Sequence, residues 1–235
     1  MKKAVLFLLL STIIYPVFSQ SDKFNYRLSV RTIDMQQLND FEGLYDESKS
    51  NIEGSPYANN NFLSGSIYQN EKVLKNNLLL RYNIYSDEIE IKENEDAKEY
   101  SALIKNQDYT IIIAKSIYVS IPLDGSEENG NYFNVLVQEG RFKLYKKSNI
   151  SFQKAKPAVT SYDRDRPAKF TTTNTFYLVD HNGKFYELPS KSSKFYNVFK
   201  EKKNELKSFA KKAKVNIKEE KDLIRLINYY NSLFK

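Results

Sequence analysis

Leu78-Leu79-Leu80-Arg81-Tyr82-Asn83-Ile84-Tyr85-Ser86-Asp87-Glu88-Ile89-Glu90-Ile91-Lys92 is the stretch that decides the fold class. Leu78, Leu80, Tyr82 and Ile84 alternate with Leu79, Arg81, Asn83 and Tyr85. That is a period of two with apolar residues on both faces, the pattern of a central strand. Ile89 and Ile91 then alternate with Glu88, Glu90 and Lys92, which predicts a one-sided amphipathic strand with its carboxylates in solvent. Asn94, Glu95 and Asp96 end the pattern.

Strand signals continue downstream. Tyr109–Ala114 and Ile117–Leu123 are rich in β-branched and aromatic residues. Asp124-Gly125-Ser126 opens a polar turn that runs to Gly130. Tyr132–Gln138 and Arg141–Lys146 flank Glu139-Gly140, a short hairpin connection, and Asn149–Gln153 extends the meander. Lys156 to Ala168 holds two prolines and Asp163-Arg164-Asp165-Arg166, the composition of a solvated linker. Phe176–Asp180 and Lys184–Leu188 flank His181-Asn182-Gly183, a second hairpin.

Upstream the pattern is weaker. Leu28 and Val30 alternate with polar neighbours and open a strand. Leu38, Phe41, Leu44 and Tyr45 have helical spacing. Asn51 to Gly65 is rich in Asn, Ser, Gly and Pro and reads as a loop or series of turns.

The tail changes period. Phe195, Val198, Phe199, Leu206, Phe209 and Ala210 recur at spacings of three, four and seven, predicting one amphipathic helix with Ser192 or Ser193 as N-cap. Asn216-Ile217-Lys218-Glu219 resembles a capping box. Leu223, Ile224, Leu226, Ile227 and Tyr230 line a second helix, so the tail is an antiparallel helical hairpin. The expected class is α+β: an antiparallel meander able to curl toward a barrel, then a C-terminal helical hairpin packed on it.

The chain opens as Met1-Lys2-Lys3 followed by an apolar run from Ala4 to Phe18. That run is about 15 residues, short of the roughly 20 a bilayer-spanning helix needs. Val17 and Ser19 sit at the small-residue positions before a signal-peptidase cut. The expected organisation is a signal peptide at 1–19, a β-rich domain at 20–190 and a basic helical hairpin at 191–235. With no cysteine in the chain, a lipid anchor through Cys and disulfide staples are both excluded. No later segment is apolar enough to span a membrane as a helix, and the expected location is periplasmic, outer-membrane associated or secreted.

Charge divides with this organisation. Residues 191–235 carry thirteen Lys+Arg against five Asp+Glu, a net of +8. Lys2 and Lys3 supply two more of the total of +7, which leaves residues 20–190 at −3. A basic tail on a mildly acidic body points to an anionic partner. Outside the cytoplasm that partner is lipid phosphate, acidic polysaccharide or another protein. Nucleic acid fits the tail but not export.

Few residues carry chemistry. The one histidine, His181, lies at a turn tip, a poor seat for a catalytic base. One His and no Cys leave the usual zinc sites without ligands, no phosphate-binding glycine loop is present, and no cofactor is expected. Asp124 to Gly130 has acidic residues but lacks the Gly and Glu positions of a calcium loop. Asp87, Glu88 and Glu90 could supply the carboxylate pair of a glycoside hydrolase. The chain has 18 Tyr and 15 Phe. A binding face, if the aromatics form one, is expected at Tyr57, Arg81, Tyr82 and Tyr85 with Asp87 and Glu88 beside them.

Gly54-Ser55-Pro56-Tyr57, Leu80-Arg81-Tyr82-Asn83-Ile84-Tyr85-Ser86-Asp87-Glu88-Ile89-Glu90 and the closing Glu220-Lys221-Asp222-Leu223-Ile224-Arg225-Leu226-Ile227-Asn228-Tyr229-Tyr230-Asn231 resemble a family of uncharacterised secreted proteins from Bacteroidota. The resemblance implies a periplasmic, envelope or secreted location and no particular activity. The expected function is a non-enzymatic binding or scaffolding module of the cell envelope. The alternative is a carboxylate-dependent polysaccharide hydrolase.

Overall fold

The computed structural model describes residues 28–33, 52–122, 130–158, 160 and 162–234. The expected signal segment at 1–19, the helical spacing at Leu38–Tyr45 and the acidic turn from Asp124 to Asn129 lie outside them. The deciding stretch becomes β3 (Lys72–Asn83) and β4 (Glu88–Lys92), paired antiparallel with Leu79 opposite Lys92, Arg81 opposite Glu90 and Tyr82 opposite Ile89. Asp87 closes the turn between them with a left-handed φ of 54°.

Nine further strands join these two in one antiparallel sheet: β1 (Val30–Thr32), β2 (Leu63–Gln69), β5 (Tyr100–Leu103), β6 (Tyr109–Ile113), β7 (Ser116–Ile121), β8 (Asn131–Val137), β9 (Lys143–Gln153), β10 (Lys169–Val179) and β11 (Phe185–Glu187). Their order is β1-β5-β4-β3-β2-β6-β7-β8-β9-β10-β11. The chain meanders from β2 to β5, returns to lay β6 beside β2, and meanders again to β11. Asn149–Gln153 belongs to β9, a single strand that starts at Lys143. The loop expected to reach Gly65 ends earlier, because β2 begins at Leu63. A Cβ on Gly65 would lie 2.4 Å from the Ile112 carbonyl oxygen and 2.7 Å from Leu80, so only glycine lets these strands approach.

The sheet curls. Tyr82 on β3 and Tyr118 on β7 are three strand spacings apart, about 14 Å on a flat sheet, yet their ring centroids are 5.0 Å apart. The hollow is filled by Ile67, Leu80, Ile89, Ile111, Tyr118 and Tyr132 among others. Each fully buried apolar side chain of this kind contributes about 1.5–3 kcal/mol. The edges are β1 and β11, and no pairing between them closes a barrel among the described residues. Instead residues 53–57 lie across the opening, with Tyr57 bridging Asn83 of β3 and Glu53 bridging Lys169 of β10.

Where Tyr132–Phe133, Leu144–Tyr145 and Leu178–Val179 lie, strands β8, β9 and β10 are buried on both faces. Tyr132 and Phe133, Leu144 and Tyr145, and Leu178 and Val179 are sequence neighbours that pack into different clusters, as a period of two requires. Leu144 and Leu178 meet three helices: α1 (Ser192–Phe195), α2 (Lys203–Lys212) and α3 (Glu220–Ser232). Phe195, Phe199, Leu206, Leu226, Ile227 and Tyr230 complete that core.

The single helix expected from Ser192 to Ala210 is therefore two. The chain leaves helical geometry at 196–202, where Lys202 takes φ 52°. There the Glu201 carbonyl accepts the Tyr230 hydroxyl at 3.2 Å and Phe199 packs edge-on to Tyr230 at 4.9 Å, contacts a continuous helix would not make. Lys191, not a serine, precedes α1, and Glu219 precedes α3 without a side-chain cap. Asn216 instead closes a local turn, its Oδ1 accepting the Lys218 N–H at 3.1 Å. Helices α2 and α3 run antiparallel, with Arg225 donating to the Ala213 carbonyl at 2.8 Å and Phe209 stacked on Tyr229 at 3.9 Å. Among the described residues no helix is long and apolar enough to cross a membrane.

Candidate functional site

Arg81 and Tyr82 are adjacent on β3 and point to opposite faces, so the expected binding face separates into two clusters. On one face Arg81 Nη2 lies 2.6 Å from Glu90 Oε2, and Nε donates to the same oxygen at 2.8 Å. Asn83 Nδ2 donates to Glu90 Oε1 at 2.9 Å. The guanidinium carbon stands 3.7 Å from the Tyr57 ring centroid, 4.4 Å from Phe62 and 5.3 Å from Tyr100. Arg81 Nη1 also donates to the Asn60 carbonyl at 3.1 Å.

This overturns the solvent-facing reading of β4. Glu90 is only 2% exposed, because β4 is an inner strand and residues 57–62 cover its polar face. Burial pushes the Glu90 carboxyl above its ordinary value, against the pull of Arg81 and Asn83. Burial, and then Glu90, raise the Tyr57 hydroxyl well above the ordinary tyrosine range.

The second cluster centres on Asp87. Its Oδ1 accepts the Tyr82 hydroxyl at 2.7 Å and Lys147 Nζ at 2.7 Å. Its Oδ2 accepts Lys105 Nζ at 2.8 Å and the Tyr132 N–H at 3.3 Å. Lys105 also donates to the Gly130 carbonyl at 3.0 Å. One carboxylate thus ties the β3–β4 turn to the loop after β5, to β8 and to β9. Burial would raise the Asp87 carboxyl, but Lys147, Lys105 and Tyr82 outweigh it and hold it below its ordinary value. Burial and Asp87 together raise the Tyr82 hydroxyl.

Of the other expected site residues, Glu88 pairs with Arg31 of β1. Tyr85 is exposed at the turn and meets Phe170 edge-on at 5.9 Å. Both Tyr57 and Tyr82 are buried, so neither offers a stacking surface. Asp87 and Glu90 have both oxygens occupied by donors. Sequence reading passed over Asn83, Phe62, Tyr100, Lys105 and Lys147. The one signal for the first cluster was the opposite charge of Arg81 and Glu90, placed to face each other across a hairpin.

The helical tail holds a third feature. Four of its five carboxylates are already paired: Glu201 with Arg141, Glu205 with Lys202, Glu220 with Lys146 and Asp222 with Arg225. Lys207, Lys211, Lys212, Lys214, Lys218 and Lys221 are exposed and make no ion pair among the described residues. His181 stands in the exposed β10–β11 turn, at the rim of a cleft of about 160 Å³ whose wall includes Arg141, Tyr186 and Lys200. Among the described residues no group of three His, Cys, Asp or Glu is placed to hold a metal ion. No family model matches the chain, and no curated protein or solved structure matches it.

Proposed function

We propose that this is an exported, non-enzymatic binding or scaffolding module of the cell envelope that attaches to an anionic envelope component through its helical tail. The observation that carries this reading is the uncompensated charge on α2, α3 and the turn between them. Four of the tail's five acids are spent on other cations, while six lysines face solvent on α2, α3 and the turn between them. Exposed charges act over about 8 Å at physiological ionic strength, so a dense lysine surface responds to a polyanion more than to a single acid. The engaged state of Asp87, Glu88 and Glu90 supports binding over the hydrolase alternative, since a catalytic pair needs oxygens free for substrate and water.

The test uses the whole exported chain. Sedimentation with vesicles of phosphatidylglycerol and phosphatidylcholine, and with soluble polygalacturonate, separates lipid phosphate from acidic polysaccharide as the source of charge. Association with one of them is expected to fall steeply between about 50 and 500 mM salt. It should weaken about tenfold or more in a variant with Lys207, Lys211, Lys214 and Lys218 changed to Gln. Binding to either that ignores both salt and these substitutions, or binding to neither at low salt, overturns the reading.

A further inference from the structure

Beside the Arg81 cluster, on the same face of the sheet, lies an open groove of about 290 Å³ lined by Asn60, Asn61, Phe62, Leu79, Lys92 and Glu95. Its wall is a loop, yet the loop is pinned at several points. The Asn61 N–H donates to Asn59 Oδ1 at 2.9 Å, and Ser55 Oγ donates to Asn60 Oδ1. The Ala58 N–H donates to the Tyr82 carbonyl at 3.0 Å, and Arg81 holds the Asn60 carbonyl. Phe62 is fixed by the Arg81 guanidinium and by an edge contact with Tyr100 at 5.5 Å. Across the groove Lys92 Nζ donates to the Glu95 carbonyl at 2.5 Å.

An ion pair buried as Arg81–Glu90 is gains little stability over apolar residues of the same size. It does set position: the guanidinium orients Tyr57, Phe62 and the Asn60 carbonyl together. The result is a prearranged surface, which lowers the ordering cost of binding.

We infer that this groove binds an uncharged oligosaccharide. Its groups are a phenyl ring and a leucine for the C–H face of a pyranose, and an amide, an ammonium and a carboxylate for its hydroxyls. The Asn61 side chain and the Glu95 carboxylate have no bonding partner among the described residues, and Lys92 makes no ion pair there. A hydroxyl both donates and accepts, so it matches this mixture. Lys92 is balanced by Glu95, which disfavours an anion. The groove is shallow and more polar than a typical drug-like pocket. It belongs to the sheet and is independent of the lysine surface on the helices.

Titration of the exported chain with the β-1,4-linked trimers of glucose, N-acetylglucosamine and mannose tests this by calorimetry and by amide shifts. At least one trimer is expected to bind with Kd below about 10 mM and to move the Asn60–Phe62 and Lys92–Glu95 amides. Asn61→Ala with Lys92→Met should weaken that binding about tenfold at unchanged melting temperature. These are surface changes, so folding is not at stake as it is for Phe62→Ala. Substituting the tail lysines should leave it intact. Binding of none of the trimers, shifts that map elsewhere, or full affinity in the double variant overturns the inference.

Discussion

Lys147 on β9 places its ammonium 2.7 Å from the Asp87 carboxylate at the β3–β4 turn, sixty residues earlier in the chain. With Lys105 on the other oxygen, Asp87 stands between two cations, and Lys147 is only 7% exposed. Asp87→Ala removes the carboxylate from both ammonium groups, one of them on a buried side chain. The expected cost is about 3–5 kcal/mol, read as a lower urea midpoint at unchanged slope. A cost below about 1 kcal/mol would show that water reaches this cluster freely.

Asp87 and Glu90 act on pH dependence with opposite sign. The fold holds Asp87 below its ordinary 3.8, so its contribution is complete above pH 3.8 and is lost as pH falls through the folded value. The fold holds Glu90 above its ordinary 4.5, so the folded chain keeps that proton longer and stability declines as pH rises through the folded value. Relative to wild type, Glu90→Gln should therefore gain stability as pH climbs from about 4.5. Asp87→Asn should lose ground as pH climbs toward 3.8. Urea midpoints measured across pH 3–7 for the three proteins check both signs.

Gly65 sits where β2 is squeezed between the Ile112 carbonyl and Leu80. Gly65→Ala forces backbone apart at the centre of the sheet. The expected loss is about 1–3 kcal/mol, and thermal unfolding of the variant measures it. No loss would mean that β2 and β6 can separate without disturbing the core.

Asn231 fastens α3 to the β8–β9 turn. Its Oδ1 accepts the Phe142 N–H at 2.9 Å, and its Nδ2 donates to the Phe142 carbonyl at 2.8 Å and the Glu139 carbonyl at 3.3 Å. Asn231→Ala leaves these backbone groups without partners, at about 1–3 kcal/mol for each one that stays dry. Faster amide exchange in α3 than in β3 would show that the helices loosen first. Equal rates would show that tail and sheet unfold as one unit.

How far the sequence was legible depended on how strongly each element alternates. β-branched and aromatic composition marked β6 and β7, a hairpin signal marked β8, and the hydrophobic period of two marked β3 and β4. It understated β10, where Thr171-Thr172-Thr173-Asn174-Thr175 carries strand propensity but no apolar signal. Tail helices were visible from their apolar spacing, but the break at 196–202 was not. Phe199 keeps the period while its backbone leaves the helix, because tertiary contacts with Tyr230 and Arg141 decide the path. At the candidate site, alternation put Glu90 on one face of β4 with Glu88 but could not say that this face is covered. The cover comes from Tyr57 and Phe62, more than 18 residues upstream, through contacts that have no periodic signature.

The strap formed by residues 53–57 sets an order of events in time. Glu53 is joined to Ala168, Lys169 and Phe170, more than a hundred positions later. An early segment that can be seated only once β10 has been laid down must wait for most of the sheet. Closures over such long separations place folding in the slow range of milliseconds to seconds typical of sheet proteins. A growing or threading chain would hold its final lock open until residue 170 has arrived.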